Sequence, residues 1–130
     1  MEEIKFENSM AQVKYNKDLK IVEVHWKKST VDEFKFQEVL NNGLKELLEN
    51  TTNKWLANTS LLGVIPQRTA EWVEKEWFPN VLKTVKKIKM AIIVPESMIT
   101  KMSIDKTIKT DVLEQQYFEN LDEARNWLKG

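Results

Sequence analysis

An α/β domain with the element order ββαβαβαβα, a five-stranded mixed sheet and helices mainly on one face follows from three patterns in this sequence. Residues 11–26 alternate apolar and polar side chains, residues 36–48 repeat apolar side chains at steps of three and four, and residues 88–94 form a continuous apolar run. The first is the period of a half-buried strand pair, the second that of an amphipathic helix, and the third that of a strand covered on both faces in the middle of a sheet. The 130 residues, 42% hydrophobic and 31% charged, suit one compact core. No linker, low-complexity tract or internal repeat divides them, so residues 1–130 are expected to form a single domain.

Ala11, Val13 and Tyr15 fall on one side of the first predicted strand, and Val22, Val24 and Trp26 on one side of the second. Asn16, Lys17 and Asp18 between them suit a turn, which makes the pair an antiparallel hairpin. Thr30 and Glu33 have capping-box spacing ahead of Phe36, Val39, Leu40, Leu44, Leu47 and Leu48, so a helix is predicted over residues 31–50. Residues 54–59, short and apolar at the centre, predict a strand. Thr69 can open a second helix carrying Trp72, Val73, Trp77, Val81, Leu82 and Val85. Pro79 lacks a backbone donor and biases Phe78 away from helical geometry, which predicts a kink or a break into two short helices. After the strand over 88–94, which Pro95 ends, Ile104, Ile108 and Val112 lie four apart and predict a third, weaker helix, with Met98 and Met102 preceding it at the same spacing. Residues 116–118 predict a fifth strand. Asn120 and Glu123 then cap a final helix with Leu121, Ala124, Trp127 and Leu128 on one side.

Composition removes several function classes. With 20 basic and 20 acidic residues there is no global attraction to nucleic acid or to an anionic membrane. The absence of cysteine removes disulfides and thiolate metal sites, and a lone histidine does not build a usual zinc centre, so no cofactor is expected. The acidic start lacks the pattern of a secretory signal, and no apolar run approaches the ~20 residues a spanning helix needs. A cytoplasmic protein without a membrane span is the expectation. No Gly-rich phosphate loop, Gly-x-Ser-x-Gly, His-Glu-x-x-His or Gly-x-Gly-x-x-Gly occurs, which predicts a non-catalytic role.

The most informative stretch is residues 53–65, where a short apolar strand runs into a polar corner and then an apolar loop. Asn58, Thr59, Ser60, Leu61, Leu62, Gly63, Val64 and Ile65 stand where a strand-ending motif resembling Asp-Ser-Ser-Gly-Leu-Gly-Val-Ile occurs in STAS domains, the fold of bacterial anti-sigma-factor antagonists and of the cytoplasmic ends of sulfate transporters. Asn58 replaces the aspartate, Leu61 replaces the first glycine, and Pro66 delays the following helix. The resemblance implies that Ser60 corresponds to the serine a partner kinase phosphorylates in that family. From residue 11 onward the chain looks more like the SpoIIAA-like branch of STAS proteins common in Bacteroidetes. Lys-Trp-Leu-Ala-Asn-Thr, Leu-Gly-Val-Ile-Pro, Glu-Trp-Val-Glu-Lys-Glu-Trp-Phe-Pro and Tyr-Phe-Glu-Asn-Leu-Asp-Glu-Ala-Arg-Asn-Trp-Leu carry that likeness.

Several residues admit two readings. Strand parity puts His25 with Glu23 and Ile21 on a half-exposed face, as an ordinary surface imidazole or as a pH-sensitive contact with Glu23. Among the five tryptophans, Trp55, Trp72 and Trp77 are either core or the lining of an apolar ligand cleft; five positions apart on a helix, Trp72 and Trp77 do not easily share a face. Leu61, Leu62, Val64 and Ile65 make an unusually apolar loop, either folded back as a lid or presented to another chain. Lys83, Lys86, Lys87 and Lys89 form a basic run with no interleaved aromatics, either a solvated face or a surface for an anionic headgroup or another copy.

The function expected is that of a regulatory or scaffolding domain contacting another protein through Ser60, Leu61, Leu62, Val64 and Ile65. The alternative is a carrier for a small apolar or lipid-like ligand beside Trp55, Trp72 and Trp77. A homodimer through a sheet edge is compatible with either.

Overall fold

A computed structural model describes residues 2–63, 65–94 and 108–129. Its strands are β1 (Glu2–Glu7), β2 (Ala11–Asn16), β3 (Ile21–Trp26), β4 (Lys54–Asn58), β5 (Ile88–Ile93), β6 (Ile108–Lys109) and β7 (Leu113–Phe118). The helices are α1 (Glu33–Glu49), α2 (Gln67–Trp72), a π-helical turn over Val73–Trp77, α3 (Phe78–Thr84) and α4 (Leu121–Lys129). One seven-stranded sheet runs in the order β1-β2-β3-β4-β5-β7-β6. β1, β2 and β3 are antiparallel neighbours, β3, β4, β5 and β7 are parallel, and β6 returns antiparallel to β7. The fold is thus α/β with a mixed sheet, but with seven strands where sequence periodicity predicts five. Among the described residues no helix is long and apolar enough to cross a membrane.

The two additional strands are those with the weakest apolar signal. β1 reads Glu-Glu-Ile-Lys-Phe-Glu, and its backbone pairing with β2, interrupted by a bulge between Ile4 and Phe6, makes it an edge strand. Charge and bulge are what keep such an edge from recruiting another chain. Its side chains are tied by ion pairs, Glu3 with Lys5 and Glu7 with Lys27, the latter at 2.6 Å. β6 falls inside the predicted third helix. Ile108 and Lys109 are extended and Val112 precedes β7, so that part of the expected helix is absent; Met98, Met102 and Ile104 lie outside the described residues. The hydrogen bond from Thr110 N to Leu113 O, 2.8 Å, closes the β6–β7 turn in its place.

Helix boundaries follow local chemistry. The N-cap of α1 is Asp32 rather than Thr30, its carboxylate accepting from Lys35 N at 3.0 Å. Asn120 Oδ1 accepts from Glu123 N at 2.9 Å, as its spacing predicts. Pro79 does not break the second helix: the backbone stays helical from Gln67 to Thr84, Phe78 included, and the irregularity is the π turn just upstream, closed by Phe78 N donating to Val73 O. A turn closed over five residues brings Trp72 and Trp77 to the same side, which the ordinary 3.6-residue period does not. Both accordingly pack on one core.

The sheet has two dissimilar faces. On the first, Val13, Val22, Val24, Trp26 and Trp55 pack beneath α1 and the α2–α3 segment. Trp26 stacks on Phe36 with ring centroids 4.8 Å apart, and Trp55 meets Trp77 edge to face at 5.1 Å. Trp77 Nε1 donates to Leu40 O at 2.9 Å, so its polar atom is satisfied. Gly43 lets α1 approach: a Cβ there would overlap the Trp55 ring. The second face is covered by α4, whose Ala124 and Leu128 pack on Ile21, Leu56, Ala91 and Ile93. The half-exposed face expected for Ile21, Glu23 and His25 is therefore buried at its centre, with Ile21 and Glu23 fully enclosed.

Candidate functional site

Glu23 is a carboxylate at 0% exposure in the middle of an apolar strand. Such a group persists when it is paired and hydrogen-bonded. β3 fixes its position and α4 supplies the partner. Arg125 reaches back so that Nε donates to Glu23 Oε2 and a terminal nitrogen to Oε1, both at 2.8 Å. The same terminal nitrogen lies 2.8 Å from Glu2 Oε1 on β1, and Asn16 Nδ2 donates to Glu23 Oε2 at 3.4 Å. Burial pushes the Glu23 carboxyl up. Hydrogen bonds from His25 and Arg125, with the guanidinium charge, outweigh it and hold the group at about 2.

From Glu23 a chain of polar contacts leads to the surface. His25 Nε2 is 2.8 Å from Glu23 Oε1, and His25 Nδ1 is 3.2 Å from Asn58 Nδ2 on the adjacent strand β4. A carboxylate only accepts and an amide nitrogen only donates, so these partners select the neutral imidazole with its proton on Nε2. Asn58 Oδ1 in turn accepts from Ser60 Oγ at 2.8 Å and from Ser60 N at 3.3 Å. Thr59 closes the corner by donating both N–H and Oγ–H to Ile93 O, at 2.9 and 2.7 Å. Ser60, at the C-terminal end of the parallel strands, is connected through Asn58, His25 and Glu23 to the last helix.

The Ser60 hydroxyl is bonded to an amide oxygen, not to a basic nitrogen, so it lacks the base contact that activates a serine nucleophile. Glu2, Glu23 and His25 bring three potential metal-ligand atoms within 4.8 Å of one another. Arg125 already bonds both carboxylates there and supplies the positive charge a cation would bring.

Of the loop residues singled out by sequence, Leu62 and Ile65 are half-buried against the first-face core, while Leu61 is 57% exposed. Val64 lies outside the described residues. Leu62 N donates to Thr59 O at 3.0 Å, so the loop turns sharply before returning. Gly63 sits beside the Ser29 backbone, and Ser29 Oγ is the one buried side-chain polar atom without a partner among the described residues. Trp55 and Trp77 lie in mutual contact inside the core, and Trp72 at its margin. The basic run divides: Lys89 donates to Trp127 O at 2.8 Å and lies over the Trp127 ring, 4.6 Å from its centroid, on the second face.

Sequence reasoning pairs His25 with Glu23 but misses the burial of Glu23 and its partner Arg125. A single charge inside Ile-Val-Glu-Val was the available signal, matched by one of the chain's two arginines on the amphipathic final helix. Together these features define a mixed α/β domain with a polar chain ending at the C-terminal corner of β4. A scan against family models and searches of curated proteins and of solved structures return no match to this chain.

Proposed function

We propose that this chain is a STAS-like regulatory or scaffolding domain that acts by contacting another protein through the corner of Ser60, Leu61, Leu62, Val64 and Ile65. The observation that carries the reading is the division of labour in that loop. Leu62 and Ile65 anchor it on the core, leaving Leu61 exposed on a turn that hydrogen bonds of Asn58 and Thr59 hold. An apolar side chain on a preorganised corner loses little conformational freedom on binding, the condition for an anchor in a partner's pocket. Phe34, 75% exposed in the first turn of α1, stands at the same end of the parallel strands, and an ion pair between Arg68 and Glu33 at 2.9 Å joins the starts of α2 and α1. The partner that fits is a protein offering an apolar pocket with a polar rim.

The test compares full-length wild type with Leu61→Asp and with Leu48→Asp, an equally exposed leucine at the far end of α1. A protein captured by wild type and Leu48→Asp but lost with Leu61→Asp supports the reading. Equal capture by all three overturns it.

A further inference from the structure

At the opposite end of the sheet, the β2–β3 turn, the segment after α1 and the α3–β5 connection border an open cleft of about 640 Å³. Its lining contains Lys20, Lys54, Lys86 and Lys87 and no carboxylate. In a chain with equal numbers of acidic and basic residues, four charges of one sign around one cleft are a local field that composition does not provide. Among the described residues none of the four ammonium groups has an ion-pair partner.

Helix capping does not account for them. Three of the last four carbonyls of α1 are already taken: Glu46 O accepts from Asn50 N at 3.0 Å, Leu47 O from Thr52 N at 3.2 Å and Leu48 O from Thr51 N at 3.3 Å. The backbone supplies a second, independent sign. Among the described residues, Lys20 with φ 57° and Thr51 with φ 49° are the two non-glycine residues in the left-handed region, and both line this cleft. Glycine or asparagine would occupy such positions at lower energy, and a β-branched threonine is especially disfavoured there. At both places the chain retains a side chain able to donate to an anion. Thr52 Oγ1 donating to Lys20 O at 2.6 Å and Asn53 Nδ2 donating to Lys87 O at 2.9 Å tie the three segments together, so the cleft is preformed.

We infer that this cleft binds an organic molecule carrying two or more phosphoryl groups. The ammonium groups supply point charges for the phosphoryl oxygens, and the Thr51 and Thr84 hydroxyls supply neutral donors. Leu47, Leu48 and Val85 form an apolar wall for the organic part, and the volume is that of a small-molecule site. This site is separate from the Ser60 corner and does not depend on its role.

The probe is inorganic pyrophosphate, titrated into isotope-labelled full-length protein and followed by backbone amide NMR shifts. Saturable shifts confined to residues around 20, 51–54 and 84–87 are expected, with affinity falling as salt is added. Lys54→Gln combined with Lys87→Gln lowers affinity at least about ten-fold, while Lys83→Gln, outside the lining, leaves it unchanged. Thr51→Gly raises the melting temperature and weakens pyrophosphate binding. Dispersed shifts, a double variant that binds like wild type, or equal loss with Lys83→Gln would overturn the inference. In a second arm, cosedimentation with phosphatidylcholine vesicles containing phosphatidic acid, without binding of free pyrophosphate, would also overturn it by assigning the lysines to a membrane surface.

Discussion

The two faces of the sheet are held by different physics. The first is closed by apolar side chains, with Trp26 on Phe36 and Trp55 on Trp77, and the Trp77 ring nitrogen is satisfied by Leu40 O. The second has apolar contacts at Ile21, Leu56 and Ala91, but Glu23, Arg125 and His25 stand at its centre. Burial of apolar area is tolerant of pH and of small shifts in geometry. A buried ion pair is neither, since removing one partner strands the other charge away from water. One face should therefore respond to volume and the other to charge.

Arg125→Met separates them most sharply. It leaves Glu23 buried without its bidentate partner and is expected to lower unfolding free energy by about 3–5 kcal/mol, measured by urea denaturation near neutral pH. Replacing both partners, Glu23→Leu with Arg125→Met, should restore much of the loss. If Arg125→Met costs less than about 1 kcal/mol, the second face is hydrated and the contrast fails.

Acid should act on the same face. Because Glu23 in the folded protein sits at about 2, below the 4.5 of a free glutamate, its contribution is complete above the higher value and is lost as pH falls between the two. The shift corresponds to about 3 kcal/mol, with Arg125, His25 and Glu2 as the charged or titratable groups facing it. Denaturation from about pH 6 to about pH 3 should show this slope in wild type and lose most of it in Glu23→Gln. Parallel curves for the two proteins would refute the assignment.

Gly43→Ala probes the first face with a smaller effect and an informative sign. Helix propensity alone predicts a gain of about 1 kcal/mol, whereas overlap with Trp55 predicts a loss of about 1–3 kcal/mol, independent of pH. A net gain would mean that the Trp55 ring has room to move.

The same contrast explains what could be read from the chain. Alternation in β2 and β3 and the periodicity of α1 mark the first face directly, because each apolar side chain there reports its own burial. On the second face Glu23 carries the opposite signal: a charge in a strand reads as solvent exposure, and its burial depends on Arg125, far along the chain. β1 was hidden because backbone pairing and ion pairs, not an apolar face, hold it. Ser60 and Leu61 were identified as corner residues from local motif alone. The bond from Ser60 to Asn58 is local, but the link from Asn58 to His25 depends on which residues of β3 and β4 lie side by side, and a single strand does not encode that register.

Arg125 and Glu23 are 102 positions apart, which gives the two faces different places in time. The first face is built from β2 through β5 and the helices between them, elements all present before residue 95. The second waits for α4. Contacts between distant positions form late because the intervening loop must close before they contribute, and a chain made from its N-terminus presents them last. Until then Glu23 lacks its guanidinium partner. The polar chain that runs from Arg125 through Glu23, His25 and Asn58 to Ser60 is thus complete only once the final helix has docked.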